Sequence, residues 1–137
     1  MSGRRINYIA VVVAAVAHFV LGAMWFTVFQ KQWLAAIGKT MEQLTGSPAL
    51  GYVVAFACNL IMAGTLAWLI MLTGRTGLAG GLAMGGLLWL GFTGTTMATA
   101  FVFEGRTIEA FAVIAGYPLA GLLIMGAILG LWQKRSV

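Results

Sequence analysis

Residues 6–29 read INYIAVVVAAVAHFVLGAMWFTVF, a run without a charge and with one histidine, His18, near its middle. An α-helix rises about 1.5 Å per residue and needs about 20 apolar residues to cross a bilayer core of about 30 Å, so this run is long enough to span. His18 is the chain's only histidine. It stands thirteen residues after Arg5 and thirteen before Lys31, the charges that bracket its segment.

The pattern repeats along the chain. Charges divide the 137 residues into four uncharged runs, Ile6–Gln30, Gln43–Gly74, Thr76–Phe103 and Ala110–Gln133. Charged residues make up 8% of the chain, against about a quarter in a soluble domain. Only helices and closed barrels satisfy every backbone group in lipid, and barrel strands alternate apolar with polar residues, which these runs do not. The expected fold is therefore all-α: one integral membrane domain over residues 1–137, a compact bundle of four transmembrane helices at about 6–29, 48–72, 77–103 and 108–132. The first run continues well past the cleavage-like Ala15-Val-Ala17, too long for a signal core, and reads as an uncleaved first span.

The connector, 30–47, places Trp33, Ile37, Met41 and Leu44 at near-helical spacing, with Lys31, Lys39 and Glu42 pointing elsewhere. A short amphipathic helix on the membrane surface, broken at Gly38, is expected, with an irregular loop as the alternative. Thr40 with Gln43 has the form of a capping box, and Ser47-Pro48 that of an N-cap and first helical residue. Thr107 reads as the N-cap of the fourth span.

Small residues recur every fourth position. They are Gly22 beside His18, Gly51 and Ala55 leading to Asn59, then Gly77, Gly81 and Gly85, then Gly116 with Ala120, and lower down Gly126 with Gly130. Such stripes let helices approach closely in lipid, and these residues are the expected packing faces. Pro118 removes an amide donor inside the fourth span and leaves the Ile114 carbonyl without its helical partner, so a kink is expected. Thr93, Thr95, Thr96 and Thr99 can bond back to the preceding turn and bend the third span. Gly22-x-x-Trp25 echoes Gly86-x-x-Trp89 faintly, as two tandem hairpins would, and as chance also would.

Counting from the flanking charges, His18, Trp89, Asn59 and Tyr117 lie about 20, 21, 24 and 26 Å deep. Thr93 and Thr96 lie further out on the third span. Together these residues form a candidate midplane polar layer. Polar groups cannot stay unpaired in lipid without a cost of several kcal/mol. The layer can act as interhelical glue, at on the order of 1 kcal/mol per contact. It can also mark a substrate or proton path, as intramembrane ionisable residues often do. No Asp, Glu, Lys or Arg falls within a span. No nucleophile stands beside a base, and no Cys/His metal spacing occurs, so neither an enzyme nor a cofactor is expected. The lone Cys58 reads as a small packed or lipid-facing hydrophobe.

Four spans put both ends of the chain on one side. That side carries Arg4, Arg5, Arg75, Lys134 and Arg135, against Lys31, Lys39 and Arg106 on the other. The excess argues for cytoplasmic termini in a bacterial inner membrane. Basic residues at span ends, rather than on one face, speak for lipid headgroups and against nucleic acid. Glu104 and Arg106 form the external turn, either as a solvated pair or as a contact for a headgroup or partner.

Asn7-Tyr8, Phe19, Gly22-Ala-Met-Trp25-Phe26, Trp33, Gly85 with Trp89-Leu-Gly-Phe92, Phe103-Glu-Gly-Arg106, Gly116-Tyr117 and Met125-Gly-Ala-Ile-Leu129 with Trp132 run nearly the length of the chain. In this pattern the sequence resembles a bacterial membrane family, domain of unknown function 1761. Phe26 stands where that pattern has a tyrosine. The resemblance implies four spans in a bacterial inner membrane and implies no activity.

Three functions stay open. The first is a structural or interaction subunit that self-associates or binds a membrane partner. The second is a permeation unit for a small solute or proton along His18, Asn59, Thr93 and Thr96. The third is a lipid-like ligand held between Trp25 and Trp89.

Overall fold

The computed structural model describes residues 4–135. Its long helices are α1 (Tyr8–Val28), α3 (Pro48–Thr73), a third span made of α4 (Gly77–Leu88) and α5 (Gly94–Phe103), and α6 (Ile108–Leu131). The short α2 (Gln30–Ile37) follows α1. All four spans are long and apolar enough to cross a membrane, with mean hydropathies of 2.3, 2.1, 1.4 and 2.1 in chain order. The expected boundaries hold to within about two residues, the usual fraying of helix ends.

Local chemistry sets these ends. The Ser47 hydroxyl accepts from the Leu50 amide at 3.4 Å with Pro48 in the first turn, and the Thr107 hydroxyl accepts from the Ala110 amide at 3.1 Å. Asn7 caps α1 in the same way, through the Ala10 amide. α2 stops at Gly38, whose φ of 66° is the left-handed conformation that glycine adopts at no steric cost. A 3₁₀ turn, Met41–Gln43, follows, and the Gln43 side-chain oxygen accepts from the Thr40 amide at 3.0 Å.

α6 is the central element, packed against α4, α1, α3, α2 and α5. Its closest neighbour is α4, and glycines make the seam. A Cβ built on Gly81 would run into the Gly126 carbonyl, one on Gly126 into the Gly81 carbonyl, and one on Gly130 into the Gly77 carbonyl. Gly85 meets the backbone of Leu122 in the same way. Backbone therefore lies on backbone along more than two turns. Lipid offers no hydrophobic drive for helix association, and dense van der Waals contact of this kind replaces it.

The core gathers toward the end that holds the chain termini. Ala10, Ala14, Ala63, Leu66, Ile70, Met125 and Leu129 are buried there. The first half of α3 is different: Leu50, Gly51, Tyr52, Val53, Val54, Ala55 and Cys58 are all exposed. This corrects the expectation for two packing residues. Gly51 has no atom within 4 Å of a would-be Cβ, and Ala55 faces outward with it. The stripe becomes a helix contact only from Asn59 onward, where Ala63 and Ala67 are buried.

Two features went unanticipated. Residues Trp89–Thr93 form a π turn inside the third span. The chain ends pair as a short antiparallel ladder, β1 (Arg4–Arg5) with β2 (Lys134–Arg135), which places both at the same end of the bundle.

Candidate functional site

Around mid-span, α1 and α6 run antiparallel and interlock through rings and glycines. The His18 imidazole, 2% exposed, lies on the backbone of Gly121, where even a methyl group would collide with Nε2 and Cδ2. One turn on, the roles reverse. Gly22 of α1 receives the Tyr117 ring of α6, and a Cβ there would sit 2.8 Å from Oη. The two rings touch, with centroids 4.8 Å apart and planes at 31°, and the Tyr117 hydroxyl donates to the His18 carbonyl at 3.5 Å. A third step follows with Trp25, whose indole edge comes within 3.2 Å of a Cβ on Gly116.

The tryptophans do more than fill space. The Trp25 Nε1–H donates to the Val113 carbonyl at 2.9 Å, and the Trp89 Nε1–H to the Ala115 carbonyl at 2.9 Å. These carbonyls flank that of Ile114, the one Pro118 deprives of its helical donor. α6 continues as a helix through Pro118. Two indoles from different spans thus support the turn that proline weakens. The two indoles that the third reading places around a ligand both donate to α6. The same bonds give the Gly-x-x-Trp echo a geometric content, since each tryptophan donates into one turn of α6.

The expected polar layer is therefore assembled only in part. His18, Tyr117 and Trp89 converge on α6. Asn59 is 5% exposed but is not joined to them: its Nδ2 has no protein partner, and neither has either ring nitrogen of His18. Phe19 packs on Tyr52 and Phe56, so α1 meets α3 at this level with aromatic edges, and Asn59 lies three residues further along α3. Thr93 is half-buried within the π turn, while Thr96 is exposed and does not face the layer. Of the four threonines of the third span, Thr95 bonds back to the Phe92 carbonyl and Thr99 to that of Thr95. Among the described residues no group of three His, Cys, Asp or Glu side chains could hold a metal ion.

Sequence reasoning missed Gly121 and Gly94. Gly121 is one residue past the Gly116–Ala120 stripe, and its signal was the spacing it shares with α1, an aromatic four residues before a glycine. The Trp89 ring lies on Gly94, where a Cβ would sit 2.8 Å from its edge. The π turn brings these two residues, five apart, into register, which helical spacing does not foresee.

At the turn between α5 and α6, Arg106 Nε lies 2.5 Å from Glu104 Oε2, and the guanidinium sits 4.9 Å above the Phe101 ring. A shallow cavity of about 190 Å³ opens beside it, walled by Ala98, Phe101, Val102, Ile108 and Phe111.

A bundle of four apolar spans with an uncharged midplane defines a small multi-pass α-helical membrane protein. The chain matches a family model described as Protein of unknown function (DUF1761) over residues 9–130, and it belongs to that family. The match takes in every residue of the interlock, from His18 to Gly121. No curated protein and no solved structure matches it.

Proposed function

We propose that the protein is a structural or interaction subunit without enzymatic activity, that it associates with itself through α3, and that it sits in a bacterial inner membrane with both termini cytoplasmic. The outward stripe of α3 carries the reading. Gly81 and Gly85 of α4 and Gly116, Gly121, Gly126 and Gly130 of α6 are consumed in contacts within the bundle. Gly51, Ala55 and Cys58, at i, i+4 and i+7, share one helical face and remain open. Small residues at this spacing let a second helix approach closely in lipid. The native thiol lies on that face and reports on it directly.

Mild oxidation of the protein in its membrane should join two copies through Cys58. Gly51→Leu should abolish the disulfide while leaving the monomer's melting unchanged, because position 51 touches nothing within the bundle. A wild-type chain that neither cross-links nor transfers energy between labelled copies in vesicles would remove the reading.

A second reading, permeation through the midplane, is favoured by one observation: three buried side-chain nitrogens, two on His18 and one on Asn59, lack protein partners. A wet path requires room at the ring. The fit of His18 on Gly121 speaks for dry packing, and the melting of a Gly121 variant separates the two readings.

A further inference from the structure

The charge of this protein is segregated along the bundle axis. At the end formed by the connector and the Glu104–Arg106 turn, Lys31, Lys39 and Arg106 balance Glu42, Glu104 and Glu109. The entire net charge of +5 therefore resides at the other end, in Arg4, Arg5, Arg75, Lys134 and Arg135. Three separate segments bring these residues together.

Their arrangement needs a counter-charge. β1 and β2 set Arg4 opposite Arg135 and Arg5 opposite Lys134. Like charges directly opposite one another destabilise an antiparallel pair. No acidic side chain is present at this end. The ladder is nevertheless held from below: Asn7 Nδ2 donates to the Trp132 carbonyl at 3.4 Å, while Asn7 Oδ1 caps α1. Arg4 reaches sideways, its Nη1 3.4 Å from where a Cβ on Gly74 would lie, next to Arg75 in the sequence. Four of the five cations thus form two groups, Arg5 with Lys134 across the ladder and Arg4 with Arg75 at the α3–α4 turn. Tyr8 and Trp132, both exposed, flank the ladder in the chain, and exposed Tyr and Trp at span ends are the aromatics that favour headgroup depth.

We propose that this end binds an anionic phospholipid with two phosphates in one headgroup, of the diphosphatidylglycerol class, and that the bound lipid closes the terminal ladder. One phosphate would neutralise the ladder pair and the other the pair at the turn. Arginine suits both places, because its planar guanidinium engages phosphate with two parallel hydrogen bonds. This assignment is independent of self-association through α3.

The test uses the full chain in nanodiscs of phosphatidylcholine, with and without tetraoleoyl cardiolipin, and with phosphatidylglycerol as the single-phosphate control. Hydrogen exchange is followed at both chain ends, and lipid retention by native mass spectrometry. Cardiolipin should slow exchange of the ladder amides, and phosphatidylglycerol should do so much less. Each basic residue near an anionic surface contributes about fivefold, so Arg5→Gln with Lys134→Gln should weaken cardiolipin retention about 30-fold. Arg5→Glu places an opposite charge across from Lys134. It should close the ladder in phosphatidylcholine alone and remove the lipid dependence. Equal protection in all three lipids would overturn the proposal, as would equal protection by excess inorganic phosphate. So would a double variant that keeps cardiolipin as the wild type does, or an Arg5→Glu chain that still needs the lipid.

Discussion

The imidazole of His18 fills the space that any side chain at position 121 would need. Glycine there is a packing requirement, because the buried ring lies directly on position 121 and is also in contact with Tyr117. Gly121→Ala should therefore cost about 1–3 kcal/mol, the usual penalty for overpacking a close-packed interior. The cost should largely vanish in a His18→Ala background, where the methyl group enters vacated space. Thermal melting of the four proteins in one detergent completes the cycle. A Gly121→Ala chain that melts like the wild type would show room around the ring, and His18 would pass to the permeation reading. At this scale the sequence was half legible. His18, Gly22 and Tyr117 could be singled out as residues that belong inside, because a bilayer leaves a polar group few other places. Their pairing could not, since it depends on how α1 and α6 slide past one another, and no single helix encodes that.

Along the elements, the four-residue glycine spacing marks surfaces that can approach, and Gly81 and Gly85 of α4 meet Gly126, Gly130 and Leu122 of α6 backbone to backbone. In α3 the same spacing puts Gly51 and Ala55 outside the bundle, with no neighbouring helix of this chain. A small-residue stripe states that close approach is possible, and only the bundle decides where along the stripe a neighbour lies. The seam between α4 and α6 also differs in kind from the His18 notch. At Gly121 the obstacle is a side chain, whereas at Gly81 and Gly126 it is the carbonyl of the facing helix, which cannot rotate aside. Gly81→Ala and Gly126→Ala should each destabilise by about 3 kcal/mol or more, beyond Gly121→Ala, because two helices must separate to admit one methyl. The double variant should lose less than the sum, since one separation serves both methyls. Chemical denaturation in mixed micelles measures this, and strict additivity would show that each glycine acts on its own contact. The π turn at Trp89–Thr93 escaped sequence reading for a physical reason. Its extra residue re-aims Trp89 toward Ala115, and that demand comes from the Pro118 turn of a different helix.

At the scale of the molecule, the spans and their order were legible because hydropathy alone dictates them, and the ladder joining the two ends was not. The ladder fixes a consequence for insertion. Both chain ends and the α3–α4 turn lie on one face of the membrane, so the basic residues of three segments act together on orientation. Topology follows the count of Lys and Arg near span ends, with acidic residues contributing little. On that measure the two faces carry five and three basic residues, although in net charge they stand at +5 and zero. Arg4→Gln with Arg5→Gln equalises the count at three against three. If orientation obeys the count, reporters fused to the C-terminus and inserted after Lys39 should each become active on both sides of the membrane, in roughly equal amounts. If it obeys net charge, the variant still differs by three between its faces and should keep a single orientation. In either case the wild type should place both termini on the cytoplasmic side, and a wild-type C-terminal reporter active outside would reverse the proposed topology without disturbing the bundle.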